Sequence, residues 1–293
     1  MIERASALEM NGVTFTYDEG TRALDAVDFQ VGTGEFVALL ASNGSGKTTL
    51  LKVLVGLLRP QAGRVFIHGR AITALTAREL YHEVGLVWQN PNDQLFAATV
   101  DEDVAYGPRN LGWSEAVVQE RVAEALEAVG ASSLRRRAIH HLSFGEQKRV
   151  AIAGVLAMKP RVLLVDEPTA GLDPRGESQI LSLLKRLNQE QAITIVLATH
   201  SVDLLPLFAD RLCVLQAGRV LKQGTVAEVF SDAEIVGNAH LRLPYIAQLI
   251  DRLKRLDGVA VEGLPLTVAE ARQSLLTLLA PTLADPGLPK ELQ

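Results

Sequence analysis

Asp166 and Glu167 are adjacent carboxylates that close an apolar run, Val162 to Val165. Lys47 stands among glycines in the stretch Ala41-Ser42-Asn43-Gly44-Ser45-Gly46-Lys47-Thr48-Thr49. These residue types suit a polyphosphate. The N–H groups of a glycine-rich turn, placed at the positive end of a helix, make a cavity for an anion. Gly44 and Gly46 permit the close approach, Lys47 can neutralise β- and γ-phosphates, and the Thr48 hydroxyl can ligate the Mg²⁺ that bridges them. Asp166 is placed to hold the water shell of that ion, and Gln89, from a neighbouring strand, to sense the metal and the water. Glu167 points elsewhere and can orient and activate a water in line with the γ-phosphate. The plain alternatives are a turn that binds nothing and a polar strand end. Ala41 stands where such a loop ordinarily opens with glycine. A positive φ there costs an alanine roughly 1–2 kcal/mol, and a β-region φ costs it little.

A turn of this kind needs a strand before it and a helix after it, and the runs Glu35 to Leu40 and Leu50 to Gly56 supply them. Val84 to Gln89, Arg161 to Asp166 and Ile193 to Ala198 read as further buried strands, with a helix from about Gly176 to Gln189. Strands alternating with helices predict a parallel sheet covered on both faces. Ligands gather at the carboxyl ends of such strands. The loop at 41–49, Gln89, Asp166 and His200 all fall at such ends. His200 can contact the γ-phosphate or the attacking water, although a lone histidine after a strand is otherwise structural.

Residues 1–31 read as short alternating strands, Leu8 to Met10, Val13 to Tyr17 and Val27 to Val31, with a polar turn at Asp18 to Gly20. Tyr17 is then either a cross-strand aromatic or a flat face for an adenine ring. Arg64 to Gly69 reads as a hairpin strand. From residue 99 to about 158 the pattern is helical. Thr99 and Glu102 form a capping box, and Val118, Val122, Ala125, Leu126 and Val129 follow at helical spacing before Gly130. Ser143 and Glu146 form a second box, opening a helix from Phe144 to Met158.

The chain has 293 residues, 48% of them hydrophobic, enough for one large or two modest domains. Its longest apolar run, Val150 to Met158, is far short of the ~18 residues of a membrane span. No charged-then-apolar start suggests a secretion signal. These features predict a soluble protein of the cytoplasm. Cys213 is the single cysteine, so no intrachain disulfide forms, and its apolar neighbours predict burial. A net charge of −5 argues against nucleic acid as a partner, and the run Arg135 to Arg137 reads as a solvated face.

Taken in order, these residues resemble the ATP-binding cassette (ABC) ATPases over about residues 5–235. The resemblance rests on Tyr17, the loop 41–49, Gln89, Leu142-Ser-Phe-Gly-Glu146, Val162 to Glu167, Ala170-Gly-Leu-Asp173 and His200. It implies an α/β P-loop NTPase core with an antiparallel β portion, a helical insertion at about 92–158 and a C-terminal helical extension. ATP is then the substrate, Mg²⁺ its companion and Tyr17 the adenine-stacking residue. Residues 142–146 resemble the family's signature loop, with Phe144 in place of a glycine and Glu146 in place of glutamine. Ser143 and Gly145 remain, and in the family they hold the γ-phosphate bound to a second chain, as two chains sandwich two ATPs. Asp173 belongs to the same nucleotide set. Glu146 adds negative charge near that triphosphate.

Within the family, Gly85 to Phe96, Thr99 to Pro108 and Lys148 to Ala157 resemble the ATPases of energy-coupling factor importers, which take up cobalt, nickel or vitamins. The single-chain length and the tail favour the cobalt and nickel branch. The implied partners are a second ATPase chain, identical or different, a transmembrane coupling subunit and a substrate-binding membrane subunit, with this chain peripheral on the cytoplasmic face. Leu95 and Phe96, adjacent apolar residues in the polar loop 91–98, are expected to contact the membrane partner unless both tuck inside. After residue 235 the tail reads as a separate unit, 236–293. Ile246, Leu249, Ile250, Leu253 and Leu256 fall on one helical face, Thr267 and Glu270 cap a second helix carrying Leu275, Leu278 and Leu279, and the proline-rich residues 280–293 read as disordered. The hairpin either packs on its own domain or joins two chains. Two rivals are a soluble ABC protein of DNA repair or translation and a non-catalytic nucleotide-binding regulator. The first lacks its coiled-coil insertion or second cassette here, and Glu167 and His200 oppose the second.

Overall fold

The computed structural model describes residues 5–239 and 241–283. The chain opens with two long strands, β1 (Ser6–Thr16) and β2 (Arg22–Gly32), then β3 (Phe36–Leu40) and helix α1 (Lys47–Leu54). Strands β4 (Ala62–Ile67) and β5 (Arg70–Ala71) form a hairpin, followed by α2 (Ala77–Glu83) and β6 (Val84–Val87). A helical stretch follows, with α3 (Val100–Asn110), α4 (Glu115–Ala128) and α5 (Phe144–Leu156). The chain then alternates through β7 (Val162–Asp166), α6 (Pro174–Gln191), β8 (Thr194–Thr199), α7 (Leu205–Phe208), β9 (Arg211–Gln216) and β10 (Arg219–Thr225). Helices α8 (Val226–Phe230), α9 (Ala233–Asn238), α10 (Tyr245–Leu256) and α11 (Val268–Leu283) complete it.

Two sheets result. One is antiparallel, in the order β2-β1-β4-β5; the other runs β10-β9-β3-β8-β7-β6, parallel except for its β10 edge. The two short strands expected at 8–10 and 13–17 are one strand, because bulges between Met10 and Val13 let β1 continue past the irregularity. The hairpin β9–β10 was not anticipated beyond the apolar run around Cys213. Being half-exposed, β10 carries no strong alternation to announce it.

The parallel strands are apolar on both faces because the sheet divides two cores. Phe36, Ala38 and Leu40 of β3 face one cluster with α3 to α6; Val37, Leu39 and Ala41 face the other, with α1 and the antiparallel sheet. β7 obeys the same alternation, with Leu163 and Val165 on one side and Val162 and Leu164 on the other. Cys213 is fully buried, and burial pushes its thiol up to about 12. The run Arg135 to Arg137 is not simply a solvated face, since Arg135 pairs with Asp101 at 2.6 Å and pins the start of α3.

The tail differs in two respects from expectation. In α10 the expected apolar face is present but only partly covered: Ile250 is buried with Ile246 and Leu253 packed beside it, whereas Leu249 and Leu256 on the same face are exposed. Ala247, beside that face, reaches the main core, to which Leu266 of the connecting segment also belongs. Residues 280–283, expected to be disordered, continue α11. Residues 284–293 of the expected disordered tail lie outside the described residues. The hairpin is docked on its own chain through Tyr245 N–H to Asp203 (2.9 Å) and an ion pair of Arg242 with Asp203. Residue 235, the boundary drawn between the two units, falls inside α9.

Candidate nucleotide site

The carboxyl ends of β3, β8, β7 and β6 lie side by side, and the first three each deliver one part of a single cluster. The loop after β3 turns into α1 with Gly44 and Gly46 in the left-handed region, at φ 78° and 99°. Gly46 has a second reason to be glycine, since a Cβ there would stand 2.3 Å from the carbonyl of Ala23. Ala41 has no positive φ and is buried as the continuation of β3, so its departure from glycine strains nothing. Ser42, Asn43 and Gly44 are exposed at the crest, while Ser45 is buried beneath it with its hydroxyl 2.8 Å from that of Ser42.

Lys47 is 7% exposed and lies under the loop. Its ammonium donates to the carbonyl oxygens of Ala41 (2.7 Å) and Ser42 (3.3 Å) and lies 3.5 Å from Glu167 Oε1. The same Oε1 is 2.9 Å from His200 Nδ1, across from β8. Glu167 is thus a buried carboxylate held between a lysine and a half-open histidine ring. Its backbone is left-handed, at φ 43°, a conformation that costs a non-glycine residue about 1–2 kcal/mol and that clusters at functional sites. The turn aims Glu167 away from Asp166.

Asp166 Oδ2 accepts a hydrogen bond from the Thr48 hydroxyl at 2.7 Å, and its Oδ1 is buried without a partner. Burial raises its pKa, Thr48 lowers it and the Glu167 charge raises it further. A buried acceptor with nothing to accept from, beside a hydroxyl, is a donor set suited to a hard, oxygen-seeking cation. Mg²⁺ therefore fits these residues.

Other sequence candidates are placed less directly. Tyr17 sits edge-on to Phe15, ring centroids 4.9 Å apart, and its hydroxyl is 3.0 Å from Thr49 Oγ1, which fixes the ring beside the phosphate loop. The Gln89 side chain is exposed, and its carbonyl rather than its amide is engaged. Ser143 and Glu146 close the expected box, with Ser143 N–H to Glu146 at 2.7 Å, and this holds the Glu146 carboxyl below its usual range. Phe144 leans on Gly171. Asp173 caps α6 through Gly176 N–H at 2.6 Å, and no other contact in the described residues ties it to the cluster.

Three residues were not singled out. Gln94 accepts from Trp88 N–H (3.1 Å) and donates to Ala151 O (2.7 Å), and buried Asp103 accepts from the N–H groups of Phe96 and Ala97. Together they clamp the loop 91–98 between β6, α3 and α5. The third, Lys148, is 3% exposed, and burial pulls its ammonium down to about 8. All three lie in polar stretches, although helical spacing puts Lys148 on the face of Ala151, Ile152 and Val155.

The model of the ABC transporter family matches residues 24–170, from β2 through the Asp166 and Glu167 pair. The chain belongs to the ABC transporter ATPases. A provisionally described ABC transporter ATP-binding protein of Geobacter sulfurreducens is 53% identical over 268 residues, 92% of this chain and 96% of that protein. The energy-coupling factor transporter ATP-binding protein EcfA of Methanosphaera stadtmanae is 47% identical over 93% of this chain and 99% of its own. Among solved structures, cbiO1 of Clostridium perfringens, part of the ABC transporter complex cbiONQ, superposes with a TM-score of 0.73 at 41% identity, covering 85% of this chain and 100% of that one. A dimeric ABC cassette bound to ADP and Pi superposes at 0.67 with 31% identity over 75% of this chain and 98% of its own. As an ABC ATPase, the chain binds and hydrolyses ATP in the service of transport. No helix among the described residues is long and apolar enough to cross a membrane.

Proposed function

We propose that this chain is the peripheral ATPase subunit of an energy-coupling factor importer and that cobalt or nickel ions are its cargo. The observation that carries the catalytic part is the junction at Glu167, where Lys47, His200 and the left-handed turn converge on one carboxylate oxygen. The triphosphate enters the loop 42–49, and Lys47 exchanges the carbonyls of Ala41 and Ser42 for phosphate oxygens. Thr48 and Asp166, with Gln89 swung in from the end of β6, would hold Mg²⁺, which would neutralise phosphate charge. Glu167 orients the attacking water and takes its proton, and His200 Nδ1 steadies the carboxylate that receives it. Tyr17 offers the adenine a face. Ser143, Gly145 and Asp173 serve the nucleotide of a second chain, and for this the Ser143 hydroxyl must turn from Glu146.

The membrane side is read from the cleft of about 570 Å³ lined by Tyr81, Leu86, Phe96, Tyr106 and Met158. Phe96 is 66% exposed and packs edge-on against Tyr106, while Leu95 is buried. An exposed aromatic beside an apolar cleft is the anchor that a partner helix fills. The exposed apolar residues Leu249 and Leu256 of α10 and Val268 and Leu279 of α11 offer a second contact between chains. The cargo reading draws on the likeness to cbiO1 and on the tail.

The test uses the assembled importer in vesicles. Glu167→Gln should retain ATP binding and lose turnover, with the trapped nucleotide stabilising the dimer, and wild-type complexes should accumulate cobalt or nickel on addition of ATP. Wild-type hydrolysis by Glu167→Gln overturns the role of the carboxylate. Uptake of a vitamin without metal uptake overturns the cargo.

A further inference from the structure

We propose that Lys148 is a positioning residue for hydrolysis, holding the Glu167 backbone and the loop after β6 in register with helix α5. The inference rests on the reading of Glu167 as the residue that activates the water.

Lys148 follows the signature loop between polar Gln147 and Arg149, on the same face of α5 as Ala151, Ile152 and Val155. It is buried, and its ammonium donates to the carbonyl oxygens of Gln89 at 2.8 Å and Glu167 at 3.4 Å. It also stands 5.1 Å from the centre of the Phe144 ring, which leans on Gly171. One cation therefore joins the end of β7, the loop leaving β6 and the first turn of α5. Burying an ammonium on neutral partners is unfavourable compared with an apolar residue of the same size. The charge serves a junction that packing alone would not specify.

The junction bears on the reaction because the Glu167 side chain is aimed by a strained backbone. Glu167 N–H donates to Ala198 O (2.9 Å), and its carbonyl accepts from Ala170 N–H (3.2 Å) and from Lys148. Lys148 is the one of these three partners contributed by the helical portion, so it relates the position of α5 to the aim of the carboxylate. The Gln89 carbonyl, held by the same ammonium, ties in the loop that carries Phe96. A movement of α5 thus reaches Glu167 and the loop 91–98 together.

The experiment measures steady-state hydrolysis and thermal unfolding of the full chain for Lys148→Met, Lys148→Arg, Glu167→Gln and the double variant Lys148→Met/Glu167→Gln. Misaiming the carboxylate lowers kcat of Lys148→Met by about 10- to 100-fold, with KM for ATP held within roughly a factor of two, since binding is untouched. Lys148→Arg, which keeps the donors, recovers most of the rate. The double variant is no slower than Glu167→Gln, as expected for residues that act as one unit. Wild-type kcat in Lys148→Met, a matching loss of ATP affinity, or further slowing in the double variant overturns the proposal. Should Lys148→Met not fold, Lys148→Gln, a neutral and shorter donor, carries the same comparisons. Full turnover by Glu167→Gln overturns both readings, whereas an inactive Glu167→Gln beside a fully active Lys148→Met overturns this one alone.

Discussion

Lys47 and Glu167 show at the residue scale how a site can be poised before its substrate arrives. The ammonium is buried, satisfied by two carbonyls and lies 3.5 Å from a carboxylate that is itself 5% exposed. These contacts keep the side chain placed at little cost, and under the proposed function a triphosphate would replace them with stronger, charge-assisted ones. Lys47→Ala should therefore leave the fold intact and weaken ATP binding by roughly 10- to 100-fold, about the 1.5–3 kcal/mol of charged hydrogen bonds. Titration with a fluorescent ATP analogue checks this, and unchanged affinity would place the nucleotide elsewhere.

Helix starts carry the argument at the scale of elements. The boxes Thr76/Glu79, Thr99/Glu102, Ser143/Glu146 and Thr225/Glu228 all have both reciprocal contacts. Glu79 is held down to about 2, first by its hydrogen bond from Arg70 and then by the Thr76 backbone and hydroxyl. A carboxylate whose folded pKa is depressed contributes stability that is present above its ordinary value near 4.5 and is lost as pH falls toward 2. Thermal unfolding followed from pH 6 to pH 2 should accordingly show a smaller acid loss in Glu79→Gln than in the wild type. Parallel curves would mean that the box survives protonation. Thr99→Ala, which removes the cap of α3, should cost about 1 kcal/mol of stability in denaturant unfolding, and α3 is one wall of the Phe96 cleft.

At the scale of the whole molecule, side-chain contacts join the strand ends around Glu167 to the Phe96 cleft. Gln94 links the loop 91–98 to α5, Asp103 links it to α3, and β6 leads directly into it from the sheet that holds Asp166. A partner helix seated in the cleft would thus lean on elements that converge on Glu167. Phe96→Ala should spare hydrolysis by the isolated chain, because the ring is exposed and touches no site residue, while weakening assembly and uptake. Co-purification with the membrane subunits and transport in vesicles measure this. Normal assembly and uptake would return Phe96 to a packing role with Tyr106.

Much of this was legible in local patterns. Glycines at 44 and 46, a lysine and a threonine next to them, apolar strands ending in Asp166 and Thr199, and Ser or Thr three residues before Glu are signals carried by a few neighbouring residues. The chemistry they imply depends on backbone conformation that those residues largely dictate. By contrast, only the tertiary structure decided that Ala41 is unstrained, that Leu95 turns in while Phe96 turns out, and that Leu249 and Leu256 of the apolar face of α10 stay uncovered. It also brought Lys47 and His200, 153 positions apart in sequence numbering (200 − 47), onto the same oxygen of Glu167. Lys148 is the sharpest case. Its immediate neighbours are polar, and the carbonyls that hold it come from residues 59 and 19 positions away. The helical spacing places Lys148 on the buried face, but which carbonyls receive its ammonium is set by which strand ends the fold puts beside the helix.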